Sequence, residues 1–81
     1  MDTIDKLRII ESDAVPKEGT TIEALSTSIK ITHTCGCVLV QHFAAGVPDI
    51  RREENPAKYD RLLAERRYHI ELCNQHQNNN G

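Results

Sequence analysis

Ile31-Thr32-His33-Thr34-Cys35-Gly36-Cys37-Val38-Leu39-Val40 is the stretch whose reading decides the fold. On its N-terminal side, residues 26–34 are rich in β-branched side chains. There Ile29 and Ile31 alternate with Lys30 and Thr32, the period of a strand with one face buried. On its C-terminal side Val38-Leu39-Val40-Gln41-His42-Phe43 gives a second strand. Between them Gly36 supplies the residue able to take a positive φ in a tight turn. A β-hairpin over residues 26–45 follows, with Cys35 and Cys37 at its tip.

Downstream, Gly46-Val47-Pro48 ends the hairpin and the charged stretch Asp49–Glu54 suggests a helical turn. Asn55-Pro56 is a helix start: Asn caps free N–H groups and Pro is preorganised for the first helical position. Tyr59, Leu62, Leu63, Ile70 and Cys73 then share one face at 3.6-residue period, which predicts a helix over 56–75 ending in Cys73-x-x-His76. Residues 77–81 are polar and read as a flexible tail. Upstream, residues 1–20 form an N-terminal segment and loop. Ile4, Leu7 and Ile10 fit a helical turn, Leu7 and Ile9 would also suit a short strand, and Pro16 and Gly19 mark the loop. The expected fold is a single α+β domain: a metal-stapled hairpin plus a C-terminal helix, ββα-like, with an N-terminal extension.

Short chains bury little apolar surface and commonly need a staple. This one has 81 residues, no Trp and 4% aromatic content. Its three cysteines are an odd number for a closed disulfide framework, which favours metal ligation. Cys35-x-Cys37 and Cys73-x-x-His76 make two ligand pairs that a hairpin tip and a helix end could bring to one ion. Thiolate and imidazole donors closing a tetrahedron are the donor set of structural Zn2+. His33, two residues before Cys35 on the strand, is an alternative ligand in place of Cys37. His69 lies one helical turn before Cys73 and suits a supporting or surface role, and His42 a solvated strand position.

The stretch Ile31–Cys37, the later helix and Cys73-Asn74-Gln75-His76 resemble small zinc-binding proteins of phages, plasmids and other mobile elements. Those carry a His-Thr-Cys-Gly-His turn after a strand, then a helix, then Cys-x-x-Cys. The resemblance spans roughly residues 29–76. Here Cys37 stands at the position of the second His and His76 at that of the last Cys, exchanges that keep zinc-ligand chemistry. The resemblance implies a mobile-element origin and a metal site, and it supplies no reaction.

No His-Glu-x-x-His, phosphate-binding glycine loop or nucleophile elbow is present, and four ligands that close the metal sphere leave no open position for catalysis. A nucleophile–base reading of Cys35 and His33 lacks a substrate pocket in so short a chain. A non-enzymatic role is expected. The formal net charge of -2 argues against a polybasic nucleic-acid binder, although residues 41–81 carry six acidic and six basic side chains, five of the latter being arginines. Arg66 and Arg67, with Arg61, Arg51 and Arg52, form the candidate partner-binding surface. The expected partner is a larger protein complex of host or phage, an inhibited bacterial defence system being one example the resemblance implies. The second reading is a nucleic-acid-binding zinc module acting as a regulator. The opening Met1-Asp2-Thr3-Ile4-Asp5 lacks the features of a signal peptide, and no apolar run reaches the roughly 20 residues of a bilayer span, so a soluble cytoplasmic location is expected.

Overall fold

The computed structural model describes residues 2–43, 51 and 53–77. In chain order the elements are α1 (Thr3–Glu11), β1 (Thr21–Ala24), β2 (Ser28–Thr32), β3 (Val38–His42), α2 (Pro56–Arg67), β4 (Tyr68–Glu71) and α3 (Asn74–Gln77). The four strands form one antiparallel sheet in the order β1-β2-β3-β4. The α+β class is as expected, and the hairpin is its centre, but the sheet is twice as wide as a lone hairpin.

The N-terminal segment resolves as a helix. Asp2 accepts the Asp5 backbone N–H through its side chain, so an orphan donor of the first turn is satisfied. Ile10 is buried, and Ser12 closes the helix by donating both its N–H and its hydroxyl to the Ile9 carbonyl. The helical spacing of Ile4, Leu7 and Ile10 prevails over the strand alternative because it turns these residues toward one side.

The expected helix over 56–75 is corrected at its C-terminal end. It starts as read, with Asn55 accepting from the Lys58 N–H and Pro56 in the first turn, but it stops at Arg67. Tyr68-His69-Ile70-Glu71 instead pairs with β3, Leu39 opposite Ile70 and Val40 opposite His69. No helix breaker stands at this point. The free edge of β3 offers backbone partners and a place for Ile70 in the core, and that tertiary gain outweighs a helical continuation. Of the expected apolar stripe, Tyr59, Leu62 and Leu63 lie on α2, Ile70 on β4 and Cys73 beyond it. Within the segment read as a charged turn, Glu54 donates its N–H to the Arg51 carbonyl. Residues 44–50, 52 and 78–81, which include the hairpin's last positions, Arg52 and most of the expected tail, lie outside the described residues.

Strand side chains alternate between faces. The rows Ile22–Ile31–Leu39–Ile70 and Ala24–Ile29–Gln41–Tyr68 therefore share one face, and Glu23–Lys30–Val40–His69 the other. The helices pack at the β3–β4 side, α1 against β4 and α2, and α2 against β3 and β4. The core consists of Ile10, Val15, Cys37, Leu39, Ile70 and Leu72, with Leu7, Ile9, Ile31, Cys35, Tyr68 and Cys73 packed against it. The molecule is flat, 38 × 36 × 16 Å, because β1 and β2 extend beyond the helices.

Candidate metal centre

The turn between β2 and β3 is a three-residue hairpin loop. His33 N–H donates to the Cys37 carbonyl, Gly36 N–H donates to the His33 carbonyl, and Gly36 has φ 103. This is a β-turn followed by a residue of positive φ, a geometry that favours glycine. It holds Cys35 and Cys37 on the same side of the tip. A Cβ at Gly36 would meet Cys73 Cβ at 3.6 Å, so the tip lies directly against the segment that follows β4.

That segment supplies the other pair. Cys73 follows β4 through Leu72, and His76 sits in α3, whose first turn is closed by His76 N–H and Gln77 N–H donating to the Cys73 carbonyl. The pair therefore comes from a strand end and a short helical turn, rather than from the end of the long helix. The spacing of three residues still brings both side chains to one point.

Cys35, Cys37, Cys73 and His76 have their donor atoms within 4.8 Å of one another, and they are the cluster able to hold a metal among the described residues. His76 Nδ1 lies 2.9 Å from Cys73 Sγ and 3.3 Å from Cys37 Sγ. A zinc tetrahedron with metal–sulfur bonds of about 2.3 Å and metal–nitrogen bonds of about 2.0–2.1 Å has edges of about 3.5–3.8 Å. The two nitrogen–sulfur separations fall somewhat short of those edges and all donors lie within 4.8 Å of one another, so small shifts would close them around an ion, and their chemistry suits it.

The hydrogen bonds around the cluster orient it. His76 Nε2 donates to the Ala14 carbonyl at 2.6 Å, which leaves Nδ1 as the nitrogen facing the sulfurs. Cys37 Sγ accepts the Cys73 backbone N–H at 3.3 Å. Burial pushes the Cys37 thiol up to about 12, against the lowering effect of that N–H. Burial acts in the same direction on Cys73, but the backbone N–H and ring of His76 outweigh it and bring the thiol down to about 6. The Ala14 carbonyl and then Cys73 raise the pKa of His76.

His33, the alternative ligand, is not in the cluster. The residue is 8% exposed, and its ring is turned to the N-terminal loop, where Nδ1 donates to the Pro16 carbonyl at 3.0 Å and lies 3.3 Å from Thr20 Oγ1. Its Nε2 is buried and has no hydrogen-bond partner among the described residues. His33 and His76 therefore grip the carbonyls on either side of Val15, itself 1% exposed. This double clamp on residues 14–16 was not foreseen: carbonyls carry no residue-specific signal, and the only hint was a Pro-containing loop of suitable length. His69 is exposed and pairs with Glu71 at 3.3 Å on the outer face of the sheet, and His42 is exposed at the end of β3.

The arginines read as a partner surface are dispersed over α2 and its approach. Arg61 is exposed and pairs with Asp2 of α1 at 3.5 Å, and Arg66 and Arg67 occupy the exposed last turn of α2. Arg51 is exposed ahead of α2. A groove of about 430 Å³ lies between α1 and α2, floored by Leu7, Leu63 and Ala64 and rimmed by Arg8, Arg61 and Arg67. None of the four cluster residues lines it. No helix among the described residues is long and apolar enough to cross a membrane. In comparisons with known proteins, no family model, no curated protein and no solved structure matches the chain.

Proposed function

We propose that this protein is a non-enzymatic interaction module stapled by one structural Zn2+ on Cys35, Cys37, Cys73 and His76. The observation that carries the reading is the convergence of three sulfurs and one oriented imidazole nitrogen within 4.8 Å, from the hairpin tip and the strand end that abuts it. Four protein donors close the tetrahedron, the mark of a structural site, whereas catalytic zinc keeps a position for water. The groove between the helices has no ligand in its lining, which also speaks against chemistry at the ion.

A closed ion leaves function to the surface. We assign the partner contact to the exposed side of α2 with Arg61, Arg66 and Arg67, extended by Arg51. Arginine suits such a surface because its planar group makes several hydrogen bonds and also stacks. The resemblance of the hairpin turn to mobile-element zinc proteins supports a protein complex of host or phage as the partner, with modulation or inhibition as the outcome.

The test joins metal analysis to capture from nuclease-treated bacterial lysate. One equivalent of zinc in purified protein, with a captured protein lost on Arg66→Glu/Arg67→Glu while zinc and fold persist, is the expected result. Zinc-free protein would overturn the staple. Unchanged capture by the folded double variant would overturn the contact surface. Binding of random DNA that weakens steeply with salt would transfer the role to nucleic acid.

A further inference from the structure

The four donors of the cluster differ in how they meet solvent. Cys37 is 0% exposed and belongs to the core, and His76 is 4% exposed. Cys35 and Cys73 are only half-buried, so the cluster opens to solvent on their side. All three thiols are free of disulfide bonds, and their sulfurs lie within 4.8 Å of one another. Reachable sulfurs this close together are the ones that peroxides convert to disulfides.

Three pairings can be drawn, and the structure favours one. Cys35 and Cys37 are separated by one residue, so a bond between them would close a small ring over the Gly36 turn and strain the disulfide. Cys37 Sγ accepts the Cys73 N–H inside the core, and pairing it with the Cys73 sulfur would pull it out of that packing. Cys35 and Cys73 are the two half-buried residues, and the Cβ position of Gly36, next to Cys35, lies 3.6 Å from Cys73 Cβ. A bond between them leaves Cys37 where it is.

We propose that the centre is an oxidant-operated switch, in which hydrogen peroxide joins Cys35 to Cys73 and the zinc ion is released. The proposal rests on the zinc reading of the cluster. The Cys73 sulfur attacks one peroxide oxygen, the O–O bond breaks, and a sulfenic acid and hydroxide form. The Cys35 thiolate attacks the Cys73 sulfur, the S–S bond forms, and the sulfenic oxygen leaves as hydroxide. The two sulfurs give two electrons to peroxide, and zinc stays Zn2+ throughout. Cys37 and His76 are then the remaining donors, too few for a closed tetrahedral site. His76 transmits the change: without the ion its ring loses the tether that sets Nε2 on the Ala14 carbonyl, while His33 keeps Pro16. The loop that joins α1 to β1 is then gripped at one carbonyl instead of two.

The test titrates hydrogen peroxide into the full zinc-loaded chain. Zinc release is followed with a chromogenic indicator, free thiols are counted, and disulfides are mapped by peptide mass spectrometry without reduction. The expected result is release of zinc in step with the loss of two thiols, a Cys35–Cys73 bond within one chain, a free Cys37, and recovery with dithiothreitol and added zinc. Hydrogen exchange should rise in the loop around Ala14 with the β2–β3 ladder still protected. Cys35→His keeps a zinc donor at the tip and removes one of the pair, and it should slow release about tenfold or more. Zinc held through excess peroxide, a disulfide that includes Cys37 or a second chain, or unchanged release in Cys35→His overturns the switch and leaves the zinc reading standing. Protein purified free of zinc overturns the zinc reading and the switch with it.

Discussion

At the scale of single residues the site depends on positions that differ sharply in what they contribute. Cys37 is fully buried and faces both Cys73 and His76, so Cys37→Ala should lose the metal and with it the packing of the hairpin tip. His33→Ala should keep the metal, because the ring is turned away from the cluster, yet leave the Pro16 carbonyl without its donor. A lost buried partner costs about 1–3 kcal/mol, to be read by thermal melting alongside metal content. Loss of metal on His33→Ala with retention on Cys37→Ala would exchange their roles. Gly36→Ala is a further case: its φ of 103 is a conformation that L side chains rarely adopt, while the space for a Cβ is ordinary. Strain of about 1–3 kcal/mol is therefore expected without a clash. These ligands were legible from sequence because Cys and His are scarce and their spacing is chemical. The choice between Cys37 and His33 was not, since both share the strand face and only the N-terminal loop decides where the imidazole goes.

Among the elements, the hairpin and the start of α2 were readable because each has local chemistry: alternation with a glycine turn, and an Asn–Pro cap. The end of α2 was not, because Tyr68–Glu71 satisfies a helical period and becomes a strand only when β3 is beside it. Ile70 is the residue that commits this segment. It is 4% exposed, and Ile70→Ala should cost about 2–5 kcal/mol, seen as a lowered denaturant midpoint. A surface-like effect below that range would mean β4 contributes little to the core. β1 escaped the reading because only half of its residues are apolar and none is buried, so its identity comes from pairing with β2. For α1, the Asp5 backbone N–H is the main cause that holds the Asp2 carboxyl below its ordinary value of 3.8, with Arg61 helping. A depressed carboxyl contributes its stabilisation above 3.8 and loses it as pH falls through the lower folded value. The stability difference between Asp2→Ala and wild type should therefore be full at neutral pH, begin to shrink below 3.8 and be lost once pH has fallen past the lower folded value. A difference independent of pH would remove the carboxylate from the cap.

For the whole molecule, the Cys35, Cys37, Cys73 and His76 cluster is the junction of three otherwise separate pieces. The hairpin tip gives Cys35 and Cys37, the segment after β4 gives Cys73 and His76, and His76 reaches back to Ala14 of the N-terminal loop. Gly19 sits against Thr34 of the tip, where a Cβ would come within 2.6 Å of Thr34 Cγ2, so the same loop is seated on the hairpin from its other end. In a chain this small, metal-binding free energy acts as folding free energy, with apparent values of about 10–16 kcal/mol in zinc-finger peptides. Chelation should therefore expose amides over residues 10–20 and 33–37 to hydrogen exchange before those of the β2–β3 ladder. Uniform exchange throughout would indicate that the N-terminal loop is not held through the ion.

In the proposed site three thiolates and His76 close around one zinc ion. X-ray absorption on the purified protein tests it most directly. The expected result is one equivalent of zinc with three sulfur neighbours at about 2.3 Å and one nitrogen at about 2.0–2.1 Å, and with the nitrogen lost in His76→Ala. A metal-free protein whose melting is indifferent to chelator, or a zinc shell dominated by oxygen and unchanged in His76→Ala, would contradict it.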